Sequence, residues 1–227
     1  MHRHVSQSRL TLAVLVLCVA TAATAAAHSF KVFSPKVVER ETGKTYPQHA
    51  AAFWKWALSQ PTPTNPLVDA TGENCDVGQS GRNWYLAGAF AGETVVRSCT
   101  VPRGKNLVLP VFNFLAAAFP TDPPEQREVD YLREVVSIAR EATVELEIDG
   151  KPVKKLERFY EESKVFHVTL PEDNIFGLTG SDREFSPAVD AGYYVAIPPL
   201  SRGLHTIHAY GELDGSAVDV TWEIEVR

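Results

Sequence analysis

The chain has 227 residues, 44% apolar and 22% charged, with a formal net charge of −6. Those fractions belong to a folded globular protein and exclude a disordered one. The acidic balance argues against a nucleic-acid partner, whose phosphates need Lys and Arg, and against attraction to an anionic membrane.

In chain order, the N-terminus reads as a secretory signal peptide over residues 1–27. Arg3 and Arg9 supply a positive start, residues 10–20 are apolar apart from Thr11, and Ala25 and Ala27 fit the small-x-small cleavage rule. The run is shorter than the roughly 20 residues of a bilayer span, and no later segment is long and apolar enough, so no membrane span is expected. Cys18 is preceded by Leu17, where a lipidation signal needs a small residue. Cleavage leaves 200 residues from His28 to Arg227, and the charge moves to −8 because Arg3 and Arg9 leave. The expectation is one secreted, extracellular domain over 28–227. Cys75 and Cys99 then remain as an even pair in an oxidising route, which predicts a disulfide.

Ala50, Phe53, Trp54, Ala57 and Leu58 recur at helical spacing, predicting a helix near 46–59 that Pro61 and Pro63 stop. A long Pro/Gly/Asn/Asp loop follows and holds Cys75. "WYLAGAF" and "ETVVRSCTVP" read as strands joined by a turn near Ala91-Gly92. "KNLVLPVFNFLAAAFP" reads as a buried strand in which Pro110 requires an edge or a bulge. A second helix is predicted over 123–140, capped by Asp122, with Pro123 and Pro124 in its first turn. Its stripe is Val129, Leu132, Val135, Val136 and Ala139, with Arg133 facing water. Beyond residue 142 the period changes to two, with strands at "TVELEIDGKPV", "KVFHVTL", "YYVAI", "LHTIHAY" and "AVDVTWEIEV". The fold class predicted is α+β, predominantly β: an antiparallel immunoglobulin-like β-sandwich mostly within 142–227, with two accessory helices.

Candidate chemistry is sparse. His205 and His208 lie three apart on a strand, so they point to opposite faces and cannot share a metal. Ser80 in "GQSGRN" lacks the glycine two residues on that a nucleophile elbow needs. Glu145 and Glu147 share an outward strand face, about 7 Å apart, either a pair able to divide acid and base roles or, as is usual on such a face, solvated carboxylates. Trp54, Trp56, Trp84 and Tyr85 are either core or a sugar-binding platform. Gln79, Arg97, Lys105 and Asn113 are polar groups in or beside apolar strands, able to line a pocket, although Arg97 is equally able to tie its loop to a carboxylate such as Asp76. His28, at the expected mature N-terminus, offers an amine and an imidazole to copper, with His49, His167, His205 or His208 as second ligand. Trp54, Gln79, Trp84, Arg97 and Asn113 are the candidate ligand-binding residues; no metal ligands are assigned and no cofactor is called for.

The series Trp-x-Trp, Asn-Pro, Gly-x-x-Cys, Gly-Gln-Ser-Gly, Trp-Tyr-Leu-Ala-Gly, Arg-x-Cys, Val-Pro-x-Gly-Lys and Gly-x-His-Thr-Ile-His runs from about Thr45 to the C-terminus. It resembles a family of uncharacterised secreted proteins, a resemblance that implies identity without an activity. Gly-x-His-Thr-Ile before a last alternating strand is also similar to the final hairpin of immunoglobulin-like bacterial domains. Three functions are carried forward: a non-catalytic extracellular binding or structural module with an unknown extracellular ligand, a hydrolase with a site near Gln79, Arg97 and Asn113, and a copper protein using His28. The residues leave open whether the protein is an enzyme.

Overall fold

A computed structural model describes residues 30–227; residues 1–27, where a signal peptide is expected, and His28 lie outside them. Three helices, α1 (Val38–Thr42), α2 (Tyr46–Leu58) and α3 (Val129–Ser137), accompany ten strands. The strands are β1 (Asn83–Tyr85), β2 (Thr94–Val101), β3 (Asn106–Ala117), β4 (Thr143–Ile148) and β5 (Lys151–Pro152). They continue with β6 (Tyr160–Glu162), β7 (Phe166–Thr169), β8 (Glu184–Ile197), β9 (Gly203–Leu213) and β10 (Ser216–Val226).

α2 forms where its apolar spacing places it. Thr45 and Gln48 close a reciprocal capping box at its start, satisfying two backbone donors. Phe53, Ala57 and Leu58 are buried, and Trp56 is buried too, donating Nε1 to Val77 O at 2.8 Å. The second helix is shorter than expected. Asp122 accepts from Phe119 N at 2.8 Å instead of capping it, and Pro123 and Glu128 are extended. A 3-10 turn over Pro124–Arg127 therefore precedes α3, whose N-cap position is Glu128, without a side-chain capping bond. Leu132 and Val136 are buried under it, whereas Val135 is exposed. Arg133 does not face water freely: its NH2 donates to Ser163 O at 2.6 Å.

Two five-stranded sheets share one core. The first has the order β1-β3-β8-β6 with β7 also on β8, and the second has the order β2-β10-β9-β4-β5. Phe53, Tyr194, Ile207 and Trp222 belong to the same buried cluster, so α2 and both sheets contribute to it. The all-antiparallel expectation is corrected: β1 pairs parallel with β3, and β2 pairs parallel with β10 along its whole length. β1 and β2 are thus not a hairpin but belong to different sheets. The C-terminal strands alternate as read, with Val220, Trp222, Ile224 and Val226 buried on β10. Strands β1, β2 and β3, from the N-terminal half, complete both sheets. The helix count also exceeds the expected two because α1 was not legible.

β3 lies between β1 and β8, and its register with β8 shifts between Pro110 and Phe112. Pro110 shares the phase of Asn106 and Val108, so its missing N–H falls on the side where β1 has ended and no ladder bond is left unmade. Cys75 and Cys99 are bonded, with Cα atoms 5.9 Å apart, stapling the long loop to β2. The two sheets meet closely at Gly211 on β9, where an added Cβ would lie 2.6 Å from the Phe112 side chain. Gly211→Ala is expected to cost about 1–3 kcal/mol by overpacking, read as a lower denaturant midpoint at unchanged slope.

Candidate functional site

The site begins where β1 stops. Leu86 N still bonds Val108 O at 2.9 Å, continuing the β1–β3 pairing. The next two carbonyls are taken elsewhere. Arg97, on β2 of the other sheet, donates NH1 to Ala87 O at 2.6 Å and to Gly88 O at 2.7 Å. Its Nε and NH2 bond Asp69 O at 2.6 Å and Leu67 O at 3.0 Å. The guanidinium is only 3% exposed, and burial pushes its pKa down against the opposing charges of Asp69 and Glu93. The chain is thereby drawn off β3 and across to the second sheet, where Gly92 N meets Ala217 O at 2.6 Å.

The divergence opens a cleft of about 790 Å³ along β3. Pro110, Phe112, Leu115, Val220 and Trp222 are among its walls. Phe90, Phe114 and Phe176 line it and are exposed, which places them at the mouth. Its size is that of a small-molecule site, and its walls are dominantly apolar. Among the described residues, polar side chains line it only at Asn113, Asp214 and Ser216, beside the indole rings of Trp54 and Trp222. Trp222 Nε1 is buried without a hydrogen-bond partner.

Behind one wall sits Asp190, wholly buried. Its Oδ1 accepts from Trp54 Nε1 at 2.7 Å and Asn113 Nδ2 at 2.8 Å, and its Oδ2 accepts from Tyr194 OH at 2.8 Å. Asn113 Nδ2 also donates to Tyr194 OH at 2.9 Å, so both amide hydrogens are committed. Desolvation pushes the Asp190 carboxyl up to about 7, against the lowering effect of the three hydrogen bonds and the Arg133 charge. Tyr194 is pushed up by its own burial and by the Asp190 carboxylate. Asp190 does not line the cleft; it fixes the two side chains, Trp54 and Asn113, that do.

The residues singled out from the sequence fall in three places. Trp54 and Asn113 meet at Asp190 and line the cleft. Arg97 forms its hinge without touching Asp76. Gln79 and Trp84 lie apart from it: Gln79 donates to Cys75 O and Tyr85 O at 3.0 and 2.7 Å and accepts from Tyr85 N at 3.0 Å, while Trp84 is buried with Nε1 unpartnered. Lys105 Nζ bonds Gly81 O. Glu145 and Glu147 are exposed on β4, and Ser80 is exposed in its loop. His205 and His208 occupy opposite faces of β9, bonded to Asp149 and Asp219, each at 2.8 Å. His167 bonds Ser186 Oγ at 2.7 Å. His49 is buried between Thr42 Oγ1 at 2.7 Å and Tyr85 OH at 3.3 Å, and its burial and the Lys44 charge pull its pKa down to about 4. Asp190 was missed because a single Asp in "SPAVDAGYYVAI" reads as the loop before a strand. Its apolar neighbours on both sides were the only signal.

Compared with protein-family models, curated proteins and solved structures, the chain matches none of them.

Asp190 binds its proton more tightly in the folded chain than in the unfolded one, whose carboxyl titrates near 3.9. Its contribution to stability is therefore full below that value and is lost as pH rises to about 7. His49, neutral when folded, contributes with the opposite sign from about 4 to 6.5. Asp190→Asn removes one and leaves the other. The variant's stability relative to the parent is expected to rise by about 1.4 kcal/mol per pH unit between these limits, about 4 kcal/mol in all, measured by urea unfolding from pH 4 to 7. Arg97→Ala is expected to cost about 3 kcal/mol or more by stranding buried carbonyls, with faster amide exchange across residues 86–93.

Proposed function

We propose that this chain is a secreted, non-catalytic binding protein that holds an apolar ligand in the cleft along β3. The cleft carries this reading: about 790 Å³ between two rigid sheets, with apolar walls and an aromatic mouth. Filling such a space removes apolar wall from water at about 25 cal/mol per Å². Trp54 and Asn113 are oriented by Asp190 before any ligand arrives, so little ordering cost falls on binding.

Secretion rests on the residue 1–27 pattern. It accords with the Cys75–Cys99 disulfide and with the lack, among the described residues, of any helix long and apolar enough to cross a membrane. Membership in the family of uncharacterised secreted proteins rests on the motif series alone. Kinship with immunoglobulin-like domains rests on two sheets around one core and on the β9–β10 hairpin, despite the parallel pairs. Binding is preferred to hydrolysis because Gln79 and Arg97 spend their polar atoms on backbone groups.

Titration with an anilinonaphthalene sulfonate dye tests the reading. The dye is expected to bind at one site with a blue-shifted, enhanced emission and to quench the tryptophans. Val218→Lys puts a charge into the apolar wall and is expected to weaken the dye by about tenfold or more. Glu223→Lys, on the exposed face of β10, is expected to leave it unchanged. Absence of a saturable site in the folded protein sinks the reading.

A further inference from the structure

β3 has a free edge inside the cleft, and the phase of its backbone can be followed residue by residue. Asp190 on β8 turns its peptide groups toward β6: Asp190 O accepts from Ser163 N at 2.7 Å, and Asp190 N donates to Ser163 Oγ at 2.8 Å. Backbone groups alternate along a strand, so its neighbours Val189 and Ala191 turn theirs toward β3. Their register partners are Ala116 and Phe114. Ala118 N bonds Pro187 O at 2.9 Å, in the same phase. The intervening residues, Asn113, Leu115 and Ala117, therefore aim their N–H and C=O groups at the opposite edge.

On that edge β1 has ended. Val108 is the last β3 residue it reaches, through Leu86 N. The bulge at Pro110/Phe112 adds one residue to the phase, so even-numbered residues face β1 before it and odd-numbered residues face the same side after it. No backbone or side-chain group among the described residues bonds the N–H or C=O of Asn113, Leu115 or Ala117 on this side. All three residues line the cleft. An apolar space thus has a row of alternating donors and acceptors along one wall.

This row distinguishes between ligand classes. A hydrocarbon chain filling the cleft would strip water from these groups and return nothing, at about 1–3 kcal/mol each. An extended peptide satisfies them with its own backbone, as in β-strand addition. We propose that the ligand is an extended peptide segment with apolar side chains at alternate positions, which pairs with β3 along Asn113–Ala117 in the place β1 vacates. The three facing residues span about 13 Å, the reach of a four- to five-residue strand. A second copy of this chain does not suit the edge. It lies recessed between Phe53 and Trp54 of α2 and Ala209, Val220 and Trp222 of the second sheet, walls that another copy's β3 would carry with it.

This inference rests on the cleft being a binding site, and its test separates the two. A capped hexapeptide library with Val, Leu or Phe at alternate positions and Thr between them is screened by displacement of the naphthalene dye. Palmitate is the lipid comparison. The tightest peptide is then N-methylated one position at a time. Methylation at one alternating set of positions is expected to weaken binding by about tenfold or more, and at the other set by less than about threefold. Leu115→Pro, which removes a free N–H and no bond to β8, is expected to weaken the peptide about tenfold more than Leu115→Ala, each measured against that variant's own dye affinity. Dye binding without displacement by any library peptide overturns the peptide inference and leaves the cleft. Displacement by palmitate alone, or peptide binding with no phase in the methylation scan, overturns it too. A concentration-dependent dimer lost in Leu115→Pro assigns the edge to a second copy instead. Binding of neither dye nor peptide removes the cleft reading itself.

Discussion

A buried guanidinium shapes this molecule. Arg97 leaves one sheet and gathers four backbone carbonyls from two separate segments, Leu67 and Asp69 on one side and Ala87 and Gly88 on the other. A charge so far from water is tolerated when hydrogen bonds replace its hydration and opposite charge is near, and four of the five guanidinium N–H groups are used here. Asp69 supplies part of that charge. Burial alone would raise its pKa, but hydrogen bonds from Asn74, Thr71 and Gly72 hold it below the usual carboxylate value. The same bonds organise the turn that leads into Cys75, so the disulfide and the guanidinium secure one loop from both ends. The consequence lies on the far side of the core. Past Leu86 the chain is held by Arg97 and Pro110 has no N–H to continue the β1–β3 ladder, and the cleft is the space left where that ladder ends.

Asp190 is the counterpart on the other wall. It draws α2 to the first sheet through Trp54 and fixes the amide of Asn113. One buried cation and one buried acid thus set the two boundaries of an apolar cavity, without either lining it. This division explains why the cavity walls are nearly all hydrocarbon although two ionisable groups control its shape. It also separates stability from recognition: a change at Arg97 or Asp190 acts on the frame first.

The sequence carried much of the frame in its periodicities. The spacing of Ala50, Phe53, Trp54, Ala57 and Leu58 places α2, and the alternation from Val218 to Val226 places β10. The disulfide was legible as the even pair that removal of residues 1–27 would leave. Pro110 announces its bulge because a proline inside a paired strand has few other places to sit. What periodicity does not encode is pairing. "WYLAGAF" beside "ETVVRSCTVP" looks like a hairpin, since neighbouring strands usually pair, and nothing in either segment says that Arg97 will divert the chain after Leu86. Trp54 and Asn113 were legible as polar handles in apolar surroundings. Their common partner, Asp190, lies 77 residues beyond Asn113 and is visible only when β3 and β8 are side by side.

An unpaired strand edge is ordinarily a hazard, because it templates pairing with any other chain, and proteins blunt it with charges or prolines at the edge. The segment Asn113–Ala117 carries neither. Its protection is position: the edge lies within a cleft, between an aromatic rim and the second sheet. An uncharged, apolar edge kept open by a buried guanidinium has a standing cost in stability. The sequence could have removed that cost by letting Ala87 to Phe90 pair with β3. The clamp at Ala87 and Gly88 opposes this, and Pro110, the next β3 residue in that phase, has no N–H to offer, so the edge stays open.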